Sequence, residues 1–118
     1  MAFDPPPRLF VVFGALCAAF GVALSAYAAH AVQGVAAAQL STAAQFALLH
    51  GIALAALVPV TPRRVGRIAL AMLALGTLLF SGSLVAHHAF ALPTRLAPIG
   101  GSLLIAGWLL YAVGALRR

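Results

Sequence analysis

The chain has 118 residues, of which 64% are hydrophobic and 7% are charged, and its formal net charge is +6. A soluble domain has about 25% charged residues, so this composition excludes a water-facing globule and predicts an integral membrane protein with one domain over residues 1–118. All seven cations are arginines at the ends of apolar runs, which indicates topology signals and contacts with the lipid bilayer, and no nucleic-acid-binding face.

Four apolar runs are predicted to cross the membrane, because a bilayer core of about 30 Å needs about 20 apolar residues per helix. A proline-rich segment over residues 4–7 is predicted to lead into the first run in an extended polyproline conformation. The connections between the runs are short, and the middle one, Thr61–Arg64, stops the helix with a proline and two charges. Short connections favour antiparallel neighbours, so we expect an all-α, up-down-up-down bundle of four transmembrane helices. The predicted spans are residues 8–30, 41–60, 65–87 and 96–116.

The arginines predict the orientation of the bundle. With four spans, both termini and the middle connection share one side of the membrane, and that side carries six of the seven arginines. The other side carries only Arg95, so the positive-inside rule places both termini in the cytoplasm. The stretch from Arg8 to Ala28 also resembles a signal peptide with an A-x-A-like motif, but its apolar run is longer than is usual for one. The six arginines of the predicted cytoplasmic side are Arg8, Arg63, Arg64, Arg67, Arg117 and Arg118.

Polar side chains concentrate in the half of each span on the Arg95 side, whereas the other halves are almost entirely alanine, leucine, valine and isoleucine. His50 stands out, since an ionisable group near mid-membrane should face the bundle interior and hold a partner. Ser81 and Ser83 on the next span are the candidate partners. One interpretation is a structural interhelical hydrogen bond, worth about 0.6 to 2 kcal/mol in membranes. The other is a ligand, metal or proton-relay role.

His30, His87 and His88 would approach one another at the outer surface of the bundle. Histidine is a common ligand of transition metals, but no H-x-x-H or H-x-x-x-H pair occurs and no carboxylate is near. We therefore predict that these residues anchor helix ends, and we predict no metal site. A bis-histidine haem fits four-helix bundles, but His30 and His50 are expected at different depths, so no cofactor is predicted.

Catalysis has little support in the chain. Asp4 is the only acid, and it lies in the proline-rich segment on the opposite side from most histidines. No G-x-S-x-G, P-loop or dinucleotide-binding glycine pattern is present. A hydrolase or transferase would lack an acid–base pair, so we predict no enzymatic activity.

Glycines recur at helical spacing in two of the spans. In lipid, small residues let helices approach closely, so these glycine faces are expected to pack tightly, either within one bundle or between subunits. Gly82, between Ser81 and Ser83, is expected to let a neighbouring backbone come near both hydroxyls. The glycines that share a face of the first or the fourth span are Gly14, Gly21, Gly100, Gly107 and Gly114.

Four blocks of sequence carry a family resemblance, namely SAYAAH (residues 25–30), FALLHGIAL (46–54), GTLLFSGSL (76–84) and APIGGSLLIAGW (97–108). In this order they resemble the YgdD/YwdK family of small bacterial inner-membrane proteins, over nearly the whole chain. The resemblance implies four transmembrane helices in the bacterial inner membrane. It implies no activity, since the family is of unknown function. The family's recurring histidines correspond to His30 and His50.

The chain departs from this family at two of the blocks. The family usually reads Gly-Ala-Phe-Gly-Ala-His at the first block, where this chain has Ser25, Tyr27 and Ala28 in place of Gly, Phe and Gly. It usually has Tyr-Gln four and three residues before the second histidine, where this chain has Phe46 and Ala47. The missing glutamine argues against chemistry by a Gln–His pair.

These observations predict a polar cluster in the periplasmic half of the bundle. In one hypothesis the cluster is internal packing, and the protein is a structural or accessory subunit that docks on a larger membrane complex or forms a homo-oligomer. In another the cluster lines a cavity for a small hydrophobic or amphipathic ligand, such as a quinone or a lipid. A third hypothesis is an oligomeric channel or transporter. The residues of the predicted cluster are His30, His50, Ser81, Ser83, Pro98, Gly100 and Gly101.

Overall fold

The computed structural model describes residues 6–117, which form four long α-helices. Each helix is long and apolar enough to cross a membrane, and no β-strand occurs within the described residues. The predicted all-α membrane fold with four helices is therefore confirmed. The helices are α1 (Pro7–His30), α2 (Gly34–Leu57), α3 (Arg64–Phe90) and α4 (Leu96–Leu116).

The start of α2 differs from the sequence prediction, which placed it at residue 41. The helix begins at Gly34, because the alanine-rich stretch over residues 35–40 consists largely of strong helix formers. Gly34 has a φ of +71°, a conformation that glycine adopts without strain, and this lets the chain turn sharply out of α1. A 3₁₀ turn over Val58–Val60 extends the far end of α2.

Proline and a left-handed residue mark two other helix boundaries. Pro7 is the first residue of α1, where its missing N–H would have no helical partner in any case. Pro6 is extended, with φ −56° and ψ 136°, and the rest of the predicted polyproline segment lies outside the described residues. The far end of α3 reaches Phe90, three residues beyond the prediction, and Ala91 ends the helix with a φ of 56°.

Helices α1 and α2 form a close pair that is built on glycine. A methyl group added at Gly14 would lie 2.7 Å from the carbonyl oxygen of Gly51. One added at Gly21 would lie 2.8 Å from the backbone nitrogen of Leu48. Contacts on α2 therefore move back along the chain as those on α1 move forward, so the two helices run antiparallel with their backbones almost touching.

Helices α3 and α4 form a second pair of the same kind. A methyl group at Gly100 would lie 2.5 Å from the backbone nitrogen of Phe80, and one at Gly107 would lie 2.9 Å from the side chain of Leu73. Gly114 packs against Val65 near the end of the pair. The glycine faces predicted from the sequence thus pack inside one chain, which resolves the choice between packing within a bundle and packing between subunits.

The two pairs meet along α2 and α3, and two apolar clusters fill the bundle interior. The larger cluster joins α2, α3 and α4, and the smaller one joins α1 and α2. The buried members of the larger cluster are Leu54, Val58, Leu70, Leu73, Ala74 and Leu104. Those of the smaller cluster are Leu24, Ala28, Leu40, Ala43 and Ala44.

One contact at each end identifies the two ends of the bundle. At one end, the Arg63 guanidinium donates a hydrogen bond to the backbone carbonyl of Arg117, and we call this the arginine-rich end. At the other, the Tyr27 hydroxyl lies 3.3 Å from Nε2 of His88, and we call this the Arg95 end. The side of the membrane that each end faces stays a prediction.

Candidate functional site

His50 is buried in the bundle, with 7% of its surface exposed. Its helix places it there because Gly51, the next residue, is pressed against Gly14 of α1. The ring then projects away from α1, toward α3 and α4. Burial of His50 with a polar partner is what its position in an apolar span predicts.

The partner of His50 is Trp108 of α4. The indole Nε1 of Trp108 donates to Nε2 of His50 over 3.0 Å. On the other side of the ring, Nδ1 lies 2.9 Å from the backbone carbonyl oxygen of Phe46, one helical turn earlier. A carbonyl only accepts and an indole only donates, so the proton of the ring is on Nδ1 and the imidazole is neutral. Neither ring nitrogen is left for a ligand.

Aromatic rings hold this imidazole in place. The ring of Phe46 is stacked on His50 with centroids 5.7 Å apart, and it also meets Phe80 of α3 at 4.5 Å. On α4, Tyr111 packs edge-on against Trp108 at 6.2 Å. The His50–Trp108 contact is therefore one step in a row of rings that crosses α2, α3 and α4.

Neither Ser81 nor Ser83 is the partner of His50, and this prediction was wrong. Ser81 is buried and its hydroxyl donates to the backbone carbonyl of Ala43 over 2.8 Å. Ala43 precedes His50 by seven residues, which is about 10 Å along a helix at about 1.5 Å per residue. Ser81 thus joins α3 to α2 well away from the imidazole.

Ser83 and Gly82 also behave differently from the prediction. The hydroxyl of Ser83 is buried and has no hydrogen-bond partner among residues 6–117. Gly82 faces outward, and a methyl group added there would meet nothing within 4 Å. Gly82 therefore does not bring a neighbouring backbone near the two hydroxyls. The glycine of α3 that does approach a neighbouring backbone is Gly76, which packs against Gly100 of α4.

The remaining members of the predicted cluster are spread over the Arg95 end. Gly100 is buried against the backbone of Phe80, and Gly101 lies beside the ring of that residue. Pro98 and His30 are exposed at the start of α4 and at the end of α1. The structure thus brings Ser81, Ser83 and Gly100 into buried helix contacts, whereas His30 and Pro98 lie on the surface.

The other histidines also lie at the Arg95 end. His88 of α3 contacts Tyr27 of α1, with ring centroids 5.9 Å apart. His87 donates from Nδ1 to the backbone carbonyl of Leu92 over 2.8 Å, which ties the end of α3 to the connection that follows it. Within residues 6–117, no group of three His, Cys, Asp or Glu side chains is placed to hold a metal ion.

A second polar contact lies at the arginine-rich end, where the sequence predicted almost entirely apolar side chains within the spans. The Thr61 hydroxyl donates its one proton to the carbonyl of Leu57 over 2.6 Å. The hydroxyl of Tyr111 lies 3.0 Å from Oγ1 of Thr61, and since the proton of Thr61 is already used, Tyr111 donates to that oxygen. The backbone carbonyl of Thr61 accepts from Nε of Arg67 over 3.3 Å. Thr61 therefore links α2, α3 and α4 at this end.

A cavity of about 530 Å³ opens beside this contact, between the start of α1 and the face of α3. Its walls are mostly apolar, but two arginines of α3 stand among them. Residues that define its extent are Pro7, Phe10, Arg64, Arg67, Leu75 and Leu103. This cavity belongs to the arginine-rich end, whereas the ligand cavity predicted from the sequence belongs to the opposite half.

Sequence reasoning missed Trp108, Tyr111 and Thr61. A signal for Trp108 was present, because an indole N–H in an apolar span seeks an acceptor and His50 is a side-chain acceptor at a similar depth in its own span. For Thr61 there was no comparable signal. The proline and arginines beside it indicate a helix stop, and its contact with Tyr111 depends on how α4 is rotated against α3.

Comparison with known proteins gives a consistent result. A family model described as a protein of unknown function, DUF423, matches residues 24–101. The UPF0382 inner membrane protein YgdD of Escherichia coli K12 is 34% identical over 119 residues, covering 93% of this chain and 91% of the relative. These matches confirm the resemblance that the sequence blocks carry.

Two further relatives have the same extent. A UPF0382 membrane protein of Haemophilus influenzae is 32% identical over 92% of this chain and 94% of its own length. The UPF0382 membrane protein SH2409 of Staphylococcus haemolyticus is 30% identical over 93% of this chain and 97% of its own. No solved structure matches the chain significantly.

Proposed function

The chain belongs to the DUF423 family of membrane proteins, and on that premise we propose that it is a small, non-catalytic structural or accessory subunit. Its place is the bacterial inner membrane, with both termini in the cytoplasm. Its partner is a larger membrane complex or further copies of the same chain. Buried polar contacts join its two helix pairs into one fixed unit.

The His50–Trp108 contact carries this proposal. A histidine that relays protons or binds a ligand needs a free nitrogen or a path to water, but both nitrogens of His50 have partners inside the chain. Ser81 and Tyr111 likewise reach groups on other elements of the same chain. These polar groups therefore support packing between helices rather than chemistry.

Native mass spectrometry of the full chain in mild detergent tests the accessory role. We expect the chain to emerge with a larger complex or a homo-oligomer at fixed stoichiometry. A lone monomer under the mildest conditions would count against it. The variant His50→Ala serves as a second readout, since a structural histidine predicts a lower melting temperature and unchanged small-molecule content.

Binding of a hydrophobic or amphipathic molecule is a second candidate function. The cavity between α1 and α3 favours it, because ligand pockets commonly measure about 300 to 1,000 Å³ and are mostly apolar with a few polar groups. The site of this candidate is the arginine-rich end. Solvent extraction of the purified protein, followed by mass spectrometry, tests it by the presence of a co-purifying quinone or lipid.

A further inference from the structure

We infer that the cavity between α1 and α3 is a binding groove for one anionic phospholipid, with its phosphate at Arg64 and Arg67 and an acyl chain along α3. This inference rests on the second candidate function above and names its ligand class. We call the cavity the α1–α3 groove. The depth, the polarity and the charge of this groove each support such a ligand.

The depth of the groove matches one leaflet of a bilayer. Its wall on α3 extends from Arg64 to Leu75, which is eleven residues or about 16 Å at about 1.5 Å per residue. The hydrocarbon core of a bilayer is about 30 Å thick. A groove that starts at the membrane surface and ends near mid-membrane fits an acyl chain that enters from the same leaflet.

The polarity of the groove changes along its length as that of a phospholipid does. Arg64 and Arg67 lie at the start of α3, where Pro7 of α1 forms the opposite wall. Deeper in, the wall consists of apolar side chains such as Met72 and Leu75. The two arginines occupy only the end of the groove that lies at the bundle surface, so one end suits a charged headgroup and the rest suits hydrocarbon.

The charge at the mouth of the groove calls for an anion from outside the described chain. Arg67 donates from Nε to the backbone carbonyl of Thr61. Its other guanidinium N–H groups, and those of Arg64, are donors of the kind that pairs readily with phosphate. The only acid of the whole sequence is Asp4, which lies outside the described residues. Basic pockets between transmembrane helices on the cytoplasmic side characteristically bind anionic headgroups.

These features favour an anionic phospholipid over the other amphipathic candidates. A quinone has no charge to place beside the two guanidinium groups. A zwitterionic headgroup brings its own ammonium group toward them, which weakens the attraction. Phosphatidylglycerol is therefore the probe of choice, and phosphatidylethanolamine is its matched zwitterionic control.

The test measures lipid retained by the full chain after extraction in mild detergent, using native mass spectrometry with both lipids supplied equally. We expect the unmodified chain to retain one phosphatidylglycerol in preference to phosphatidylethanolamine. Arg64→Gln should lower that retention about fivefold, since a juxtamembrane arginine is worth about 1 kcal/mol toward anionic lipid. Arg64→Lys, which keeps the charge, should retain most of the binding. Arg95→Gln removes the same charge at the other end of the bundle and should change nothing.

A second variant tests the apolar part of the groove. Ala71 lines it, and Ala71→Phe should reduce retention of phosphatidylglycerol while helical content, followed by circular dichroism, stays constant. Equal retention in Arg64→Gln, Arg95→Gln and the unmodified chain would overturn the inference.

Other outcomes distinguish failure of this inference from failure of the ligand-binding function on which it rests. Retention of a quinone or of phosphatidylethanolamine in preference to phosphatidylglycerol would overturn the headgroup assignment and leave a ligand-binding function standing. Retention of no small molecule at all would overturn both. If the variant Asp4→Asn retained phosphatidylglycerol and the unmodified chain did not, the arginines would be paired with Asp4 in the native chain, and the inference would be overturned.

Discussion

The indole of Trp108 donates a hydrogen bond to the imidazole of His50 across 58 positions of sequence, from α4 to α2. The two residues come from different glycine-packed pairs, since α2 packs on α1 and α4 packs on α3. Their contact therefore joins the two pairs directly. It links α2 directly to α4, as the contact between Thr61 and Tyr111 does at the arginine-rich end.

A double-mutant cycle measures this link. We expect Trp108→Phe and His50→Leu each to lower the melting temperature in detergent, because each leaves a polar group without its partner. The double variant should be less destabilised than the sum of the two, with a coupling of about 0.6 to 1.7 kcal/mol, the range for hydrogen bonds between membrane helices. Additive effects would mean that the two side chains do not interact in the membrane.

Ser81 and Ser83 should respond in opposite ways to the same substitution. Ser81→Ala removes the hydrogen bond to Ala43 and should destabilise the chain by about 0.5 to 1.5 kcal/mol. Ser83→Ala removes a buried hydroxyl that has no partner within the described residues, so it should be neutral or stabilising. Thermal unfolding of both variants, followed by circular dichroism, checks the difference. A loss of stability in Ser83→Ala equal to that in Ser81→Ala would contradict the assignment.

The helices and their packing faces were predictable, because each depends on features local to one span. An apolar run of the right length predicts a helix, and glycines seven residues apart, such as Gly100 and Gly107, predict a close face. The start of α2 was predicted too late, since hydropathy locates the membrane-spanning part of a helix and not the alanine-rich turns that extend it.

The partner of His50 was not predictable in the same way. Burial of the imidazole follows from the cost of an ionisable group in lipid, but its partner depends on how α4 is rotated against α2. Ser81 and Ser83 were the expected partners because α3 follows α2 in the chain. In the structure, Ser81 lies about two helical turns nearer the Arg95 end, and a donor from α4 reaches the ring instead.

Glycine-to-alanine substitutions should separate packed from open helix faces. Gly51→Ala places a methyl group 2.5 Å from the carbonyl oxygen of Gly14, so α1 and α2 must move apart and stability should fall by about 1 to 3 kcal/mol. Gly82→Ala is the matched control, because its methyl group meets nothing within 4 Å. It should leave stability unchanged or raise it by up to about 1 kcal/mol through helix propensity. Thermal unfolding in detergent gives both values, and equal losses in the two variants would argue against the α1–α2 packing.

Cysteine labelling tests the predicted orientation of the bundle. The chain has one cysteine, Cys17 in α1, and Cys17→Ala provides a background that keeps the β-carbon facing Gly51. On this background we place single cysteines at Leu92, in the connection between α3 and α4, and at Arg117, after α4. Both positions are exposed, and the Leu92 contact with His87 uses only its backbone carbonyl.

A membrane-impermeant maleimide should label Leu92→Cys in cells whose outer membrane has been permeabilised, and it should label Arg117→Cys only after lysis. The physical reason is the arginine bias, because six of the seven arginines belong to the predicted cytoplasmic side and positively charged segments near a span resist translocation. The reverse pattern of labelling would invert the bundle. It would also place the α1–α3 groove in the periplasmic leaflet, where the same lipid titration can be repeated on outside-facing vesicles.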